Sequence, residues 1–353
     1  MYVYVSIRTM PPLTTTTQPA RPWRFKILAL VGVLVLLALG AFWYGAGGKD
    51  SLLGMPQTGG LLLTLQDKDT KNFTMREYSF ATGALEPLFA NNQNNLTGAF
   101  SADGTQVAYM SRQTNDQAYQ LYVMNTATKA LTQVTNDANR IKREPVWSRS
   151  GAYIAYVVQP AGLQGADLSN PDRWQTFLVD RVGKTLGVVG GLHPFFSPDD
   201  KTLFVLRANG IYAFPVEQFT ANDAGVPDAL DGTLVVPTIT NPDLPASRSA
   251  KVVVSPDHAK LAWLVPKEHF VRVFTVENWS PLTLVKDADI HTIAYGGAFS
   301  PDNQFLALQQ AQLVGGELAN AKIAVYKLSD LRMNEVLDLS SYNPGFIWLG
   351  GWR

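Results

Sequence analysis

The sequence predicts an all-β fold, a six-bladed β-propeller of four-stranded antiparallel blades, preceded by a single transmembrane α-helix. Three observations predict it. A serine-led turn motif recurs at blade-sized intervals, incomplete copies of the repeat stand at the two ends of the repeat region, and an uncharged apolar segment lies near the N-terminus. Together they divide the chain into a disordered tail (1–26), a transmembrane helix (27–46), a linker (47–59) and the propeller (60–353).

The turn motif occurs five times. Its copies begin at Ser101, Ser148, Ser197, Ser255 and Ser300, and four of the five carry Asp two residues later. Successive serines lie 47, 49, 58 and 45 residues apart, which is the length of one propeller blade. Pro at the second position presets φ, Asp bonds its own backbone, and Gly or Asn accepts a left-handed conformation. The motif therefore predicts a tight turn in each of five repeats.

Apolar segments with period-two alternation flank every turn, as LTGAFS and QVAYMS do at the first, and indicate strands. Three strands, starting at Leu61, Met75 and Leu85, precede the first complete repeat. After the fifth repeat, NPGFIWLG at 343–350 matches a leading strand alone. An open ring would leave strand edges exposed, so we expect the two ends to pair and complete a sixth blade.

These serine-led repeats resemble the WD-like propeller repeats of the TolB family and of the propellers attached to prolyl oligopeptidase-type peptidases. The resemblance covers nearly all of the segment 60–353 and implies the propeller fold. The domain that precedes the propeller in the TolB family is replaced here by the predicted membrane helix, so the resemblance does not imply a Tol-Pal role. With no α/β-hydrolase domain after the propeller and no G-x-S-x-G motif, it implies no peptidase activity either.

The predicted anchor is the uncharged run ILALVGVLVLLALGAFWY at 27–44. At about 1.5 Å per residue it spans the roughly 30 Å of a bilayer's hydrocarbon core. Four basic residues and no acidic one precede it, which places the N-terminus in the cytoplasm and the propeller outside, periplasmic or at the cell surface. A cleaved signal peptide, with cleavage after 45–48, and a buried core helix are the alternatives.

Composition excludes several classes of protein. Lys plus Arg equals Asp plus Glu at 29 each, so no net positive charge attracts nucleic acid. The sequence has no Cys, which excludes disulfides, thiolate metal sites and a cysteine nucleophile.

Few residues suggest chemistry. The four histidines, His193, His258, His269 and His291, lack the spacing of paired metal ligands, and we interpret them as structural or solvated. The turn aspartates lie one to a blade, too far apart to share a calcium ion, and are interpreted as turn formers; they are Asp103, Asp199, Asp257 and Asp302. The strands before the turns are mostly apolar and predict a packed channel lining. Their obvious polar residues, Arg143, Glu144, His193 and Lys251, are too few for a metal cage. No catalytic, metal or cofactor site is predicted.

The leading functional hypothesis is a non-catalytic scaffold that binds a protein or an envelope polymer. The alternative is a propeller enzyme, a metal-dependent hydrolase or lactonase with its site at the central channel. A third possibility, a transmembrane sensor, would need a cytoplasmic effector domain, and the 26-residue tail is too short to form one. Strand order places the connections 159–173, 241–249 and 310–320 on the face opposite the serine-led turns. Long loops on a rigid scaffold often carry binding residues, so we expect the partner on that face.

Overall fold

The computed structural model describes most of the protein beyond residue 55. The described residues are 56, 58–89, 94–113, 116, 118–137, 141–163, 170–220, 232–237, 251–265, 270–279, 281–286, 296–314, 317–342 and 344–353. The predicted tail 1–26 and transmembrane helix 27–46 lie outside these ranges, as do all but three residues of the linker 47–59, the connection 241–249, His269 and His291. Within the described ranges, no helix has the length and apolar character needed to cross a membrane.

The described strands form six four-stranded antiparallel blades, as the sequence predicts. Blade 1 contains β1 (Gly60–Asp67), β2 (Phe73–Ser79), β3 (Leu85–Pro87) and the C-terminal β24 (Pro344–Trp352). Blade 2 contains β4 (Asn94–Phe100), β5 (Gln106–Arg112), β6 (Gln120–Asn125) and β7 (Leu131–Gln133). Blade 3 contains β8 (Ile141–Trp147), β9 (Tyr153–Gln159), β10 (Gln175–Asp180) and β11 (Thr185–Gly190).

The other three blades repeat this order. Blade 4 contains β12 (Leu192–Phe196), β13 (Thr202–Arg207), β14 (Gly210–Pro215) and β15 (Thr233–Pro237). Blade 5 contains β16 (Lys251–Val254), β17 (Lys260–Val265), β18 (Phe270–Thr275) and β19 (Pro281–Lys286). Blade 6 contains β20 (Gly297–Phe299), β21 (Phe305–Val314), β22 (Glu317–Lys327) and β23 (Met333–Asp338). A short helix, α1 (Val216–Thr220), and two 3₁₀ turns (Pro171–Arg173 and Ser340–Tyr342) lie in the connections.

The hydrophobic core lies between neighbouring blades. In one cluster, Phe195 and Phe204 of blade 4 pack with Leu261 and Phe274 of blade 5. The first two rings stack with their centroids 4.9 Å apart. Burial of a side chain of this size contributes roughly 2 kcal/mol. Each blade therefore depends on its neighbours for the apolar surface it buries.

The serine-led turns are held by their own side chains. The Ser101 hydroxyl donates to Asp103 Oδ1 at 2.6 Å and accepts from the Gln106 N–H at 3.0 Å. The Asp103 carboxylate also accepts the Thr105 N–H, at 3.0 Å. The hydrogen bond from Ser101 holds the pKa of Asp103 below its usual range. The same Ser to Asp bond recurs at Ser197, Ser255 and Ser300, so these aspartates are turn formers, as predicted.

The two ends of the propeller meet in blade 1. β24 pairs antiparallel with β1 and places Trp352 opposite Leu61. Beyond that pair, the Gly60 N–H donates to Arg353 O at 2.9 Å and the Arg353 N–H donates to Gly60 O at 3.0 Å. The Arg353 guanidinium then binds the Glu77 carboxylate through two hydrogen bonds of 2.7 and 2.9 Å. Backbone pairing between the ends thus closes the ring.

The structure corrects the sequence analysis in two places, the segment 310–320 and the end of the closing strand. The segment 310–320 is not a loop: most of it belongs to β21 and β22, which pair from Gln310 opposite Lys322 to Val314 opposite Glu317. Its residues keep enough period-two alternation to extend the hairpin beyond the body of the blade. The connection after β14 begins with helix α1, whose Phe219 is buried against Phe214. The closing strand ends at Trp352, two residues later than predicted.

We predict that deleting residues 344–353 unfolds the propeller. The deletion removes β24 and exposes Leu61, Leu62 and Leu63, which are at most 1% accessible in the closed ring. It also leaves β1 as an unpaired edge. Urea unfolding followed by tryptophan fluorescence should show loss of the cooperative transition.

The matched control is Arg353→Ala, which removes the contact to Glu77 but keeps the strand. Because that ion pair is 33% and 20% exposed, its loss should cost about 1 kcal/mol of the free energy of unfolding. A deletion variant with the same urea midpoint as Arg353→Ala would show that closure is not a condition of folding.

Candidate functional site

The innermost strand of each blade faces the central channel. In four successive blades the residue four positions before the turn serine is polar; these residues are Thr97, Glu144, His193 and Lys251. Equivalent positions of successive blades face a common axis, so side chains 47 to 58 residues apart come together. Glu144, His193 and Lys251 all line one cavity in the channel. Arg143, Glu144, His193 and Lys251, the four polar residues that the sequence singles out, form with Trp348 what we call the channel cluster.

Two residues of the channel cluster sit in strained backbone. Glu144 and His193 have φ of 56° and 49°, in the left-handed region that non-glycine residues rarely adopt. Each precedes a proline, Pro145 or Pro194, and lies where the pairing register of its strand shifts. Such a bulge re-aims a side chain. Backbone strain of this kind costs about 1–3 kcal/mol per residue and concentrates at functional sites.

Hydrogen bonds and charge hold this geometry. The Glu144 N–H donates to Thr97 Oγ1 at 2.9 Å, which ties blade 3 to blade 2. Glu144 Oε2 lies 2.6 Å from His193 Nδ1, which ties blade 3 to blade 4. Arg143 Nε lies 3.6 Å from Glu144 Oε1. Lys251 Nζ lies 3.0 Å from the centroid of the Trp348 ring, a cation-π contact between blades 5 and 1.

The cluster has unusual electrostatics. Burial by itself would raise the pKa of Glu144, but the adjacent His193 and the charges of Arg143 and Lys251 lower it well below its usual range. Burial lowers the pKa of Lys251 to about 7, against the opposing attraction of Glu144. Glu144 is therefore a carboxylate across the physiological range, whereas Lys251 gains and loses its proton near neutral pH.

The cavity has a volume of about 140 Å³ and is lined by the innermost strands of all six blades. Pro145, Pro194 and Trp348 provide apolar wall next to the charged groups. On the side away from the cluster, backbone meets backbone. A Cβ on Gly350 would lie 2.2 Å from Gly98 O, so only glycine permits this approach. The charged residues that line the cavity thus come from blades 3, 4 and 5.

Of the remaining residues considered from the sequence, His258 also lines the cavity, from the turn that begins at Ser255. His258 is buried at the turn face, where its Nδ1 lies 3.2 Å from Phe196 O, and burial lowers its pKa. The turn aspartates stay in their own turns. Among the described residues, no group of three His, Cys, Asp or Glu side chains is placed to hold a metal ion.

Sequence reasoning misses three contributors. It places Trp348 only in the closing strand, does not single out Thr97, and puts Trp174 within no predicted strand. The signal that is available is positional: the fourth residue before the turn serine reads Thr, Glu, His and Lys in four consecutive repeats. The apolar residues around these positions predict a packed lining, but Glu144, His193 and Lys251 share a cavity within it.

The described ends of the segment 159–173 pack firmly. Gln159 Nε2 donates to Leu163 O at 3.1 Å, and the Asp172 carboxylate accepts the Ala208 N–H of blade 4 at 3.0 Å. The next residue, Trp174, is buried and lies under the Arg143 guanidinium, 3.8 Å from its carbon to the ring centroid. Arg143 therefore connects the end of this segment to the channel cluster.

The described residues define a six-bladed β-propeller that carries a charged cluster in its channel. Solved structures with this fold include TolB from Acinetobacter baumannii, which has a TM-score of 0.56 and 16% identity over 86% of this chain and 69% of that chain. They also include a putative TolB from Agrobacterium tumefaciens, with a TM-score of 0.51 and 12% identity over 80% of this chain and 90% of that chain. The neighbours are thus TolB-type propellers.

A protein from the crystal structure of a nidogen/laminin complex is also similar, with a TM-score of 0.54 and 8% identity over 83% of this chain and 97% of that chain. No protein-family model matches the sequence, and no curated protein matches it. At these identities the likeness establishes the fold, and function has to be argued from the site.

We predict that Lys251→Met changes the pH dependence of stability. Below pH 7 the ammonium is charged in both folded and unfolded protein; between about pH 7 and 10.5 only the unfolded protein keeps the proton. This group therefore makes wild-type stability rise with pH in that window. The stability of Lys251→Met relative to wild type should fall by about 2 kcal/mol between pH 6 and pH 9, measured by urea unfolding.

The matched control is Lys201→Met, because Lys201 is 82% exposed on the turn face. Its difference from wild type should be the same at both pH values. An equally pH-independent difference for Lys251→Met would mean that the buried lysine keeps an ordinary pKa.

Proposed function

We propose that this protein is a membrane-anchored propeller, held outside the cytoplasm, that binds a protein partner at the mouth of its central channel. The observation that carries the proposal is the channel cluster: Glu144, His193, Lys251 and Trp348, from four blades, line one cavity, and Arg143 contacts Glu144 behind it. Buried charge and two strained residues are costly for a plain channel lining, whereas a binding site uses both.

The composition of the cluster suits recognition of a protein. Tryptophan and arginine are the residues most enriched among those that dominate binding energies. The cluster offers Trp348, and Arg143 stacks on Trp174. A nidogen/laminin complex contains a protein of this fold, which is a precedent for the fold in a protein assembly and no more than that.

We place the partner on the face that carries the segment 159–173. Arg143 contacts both Glu144 in the channel and Trp174 at the end of that segment. A partner seated on this face would therefore meet the cluster at its centre. The corrected hairpin of β21 and β22, with Val314 61% exposed, extends on the same face.

The anchor and the location rest on the sequence. The uncharged run at 27–44 has the length of a bilayer's hydrocarbon core, and the four basic residues before it favour an N-terminus in the cytoplasm. With this orientation the propeller faces an extracytoplasmic space.

A second candidate function is acid–base catalysis at the same cluster. A carboxylate that orients an imidazole, next to an amine whose pKa is near 7, is a composition found in acid–base sites. Among the described residues, no three His, Cys, Asp or Glu side chains are placed to bind the metal ion that a metal-dependent hydrolase or lactonase would use. Turnover of an ester or lactone that depends on His193 would favour the enzyme over the scaffold.

We predict that a photocrosslinking residue at Arg173 captures a discrete partner in native membranes of the full-length protein. Arg173 is exposed on the proposed docking face, at the end of the segment 159–173. The adduct should weaken at least about tenfold when Glu144→Gln disrupts the charge pairing of the cluster. The yield of the adduct is measured by gel shift, and the partner is identified by mass spectrometry.

The control is the same residue placed at Lys201, on the turn face, which should give no adduct. An adduct formed from Lys201 but not from Arg173 would put the partner on the opposite face. An adduct from Arg173 that ignores Glu144→Gln would remove the channel cluster from the binding site.

The predicted topology is tested with intact spheroplasts. Protease added outside should digest the propeller and leave the N-terminal tail protected, because the positive tail is retained in the cytoplasm. Immunoblotting with one tag at each terminus measures this. A protected propeller beside a digested N-terminus would reverse the orientation.

A further inference from the structure

We infer that the channel cluster is a carboxylate-binding site and that the group it takes is an acidic side chain of the protein partner. This inference rests on the proposed function and specifies what the partner must present to the cavity.

The first argument is the charge of the cavity. Glu144 is the only acidic residue among the described residues that line it, and its carboxylate already lies 2.6 Å from His193 and 3.6 Å from Arg143. The cationic groups that line the cavity or touch Glu144 are Lys251, Arg143 and, when protonated, His193; His258 also lines the cavity, but burial lowers its pKa and so favours its neutral form. An incoming cation would compete with these groups for Glu144. An incoming anion would instead be attracted, because the cationic groups outnumber Glu144, the single acidic residue.

The second argument is the direction of the hydrogen-bonding groups. His193 Nδ1 faces Glu144, and no described residue is hydrogen-bonded to the other ring nitrogen, Nε2. The His193 side chain is 13% exposed. When the imidazole is protonated, Nε2–H is a donor, and the Lys251 ammonium above the Trp348 ring is another. Both residues lie on strands that line the same cavity, so a carboxylate in the cavity would lie beside donor groups of blades 4 and 5.

The third argument is size. The cavity of about 140 Å³ is close to the roughly 150 Å³ that holds a benzene molecule in an engineered protein cavity. It fits one side chain and is too small for a sugar chain or a nucleotide. Pro145, Pro194 and Trp348 offer apolar wall for the methylene groups of a Glu side chain. The Arg143 guanidinium, whose fork would suit phosphate, stacks on Trp174 and is not among the described residues that line the cavity.

Binding of a carboxylate at this site is therefore coupled to proton uptake by the protein. Glu144, Arg143, Lys251, His193 and His258 are the charged or titratable groups around the site, and burial lowers the pKa of His258. Glu144 stays ionised because its pKa is lowered, whereas Lys251 changes charge near neutral pH because burial lowers its pKa to about 7. A carboxylate between Lys251 and His193 favours the protonated form of both. The site therefore takes up protons when it is filled, and binding weakens as pH rises above about 7.

The test uses the full-length protein, labelled with ¹⁵N-histidine, and two capped single-residue probes of equal shape. N-acetylglutamate methylamide carries the carboxylate, and N-acetylglutamine methylamide carries a neutral amide. The signals lost in His193→Asn identify His193. We expect the glutamate probe to shift the His193 ring signals with a dissociation constant on the order of 1 mM, and the glutamine probe to leave them unchanged.

Variants make the result specific. Lys251→Met should raise the dissociation constant of the glutamate probe at least about tenfold, and Lys201→Met, on the turn face, should leave that constant unchanged. If Lys251→Met does not fold, calorimetry on wild type in buffers of different ionisation enthalpy decides instead. The glutamate probe should then take up about one proton at pH 8.

Each other result overturns the inference. Equal shifts with both probes, no shift with either, unchanged binding in folded Lys251→Met, or no proton uptake would exclude carboxylate recognition. Tighter binding of inorganic phosphate, or of N-acetylglycine as a mimic of a polypeptide's terminal carboxylate, would reassign the ligand. The proposed function is tested separately, by the crosslink at Arg173. If the Arg173 adduct forms but the glutamate probe does not bind, the proposed docking face is retained and only carboxylate recognition by the channel cluster is excluded.

Discussion

The whole structure depends on the pairing of β24 with β1. Each blade buries its apolar surface only against its neighbours, so a gap in the ring would expose two such surfaces together with a strand edge. The two ends of the propeller meet through backbone hydrogen bonds at Gly60 and Arg353, and the ion pair with Glu77 adds to them. A closed ring is also what gives the six innermost strands a common axis.

The common axis explains how a protein with no net charge builds a strongly charged site. Equivalent positions of the innermost strands face the channel, so a few substitutions in equivalent repeats place Glu144, His193 and Lys251 around one cavity. The bulges before Pro145 and Pro194 aim two of these side chains at each other. Strain at both residues is tolerated because each is fixed in a paired strand and tied to a neighbouring blade.

The fold is similar to that of TolB-type propellers, yet identities of 16% and 12% leave the site of this protein to be interpreted on its own residues. The scaffold supplies rigidity and a pocket, and the side chains decide the ligand. A cavity with one satisfied acid and several cations favours an anion. A buried lysine whose pKa is about 7 links occupancy to pH.

Local sequence determined most of the fold. Turn chemistry and period-two alternation act over a few residues, so the five serine-led turns, the six blades and the closing strand could all be predicted. The prediction of a loop at 310–320 is wrong because hairpin length depends on a partner strand. Only the tertiary structure brought Glu144, His193, Lys251 and Trp348 together. Their proximity depends on which side chains of the innermost strands enter the cavity, and the left-handed backbone at Glu144 and His193 depends on the register shifts in their strands; no local pattern encodes either.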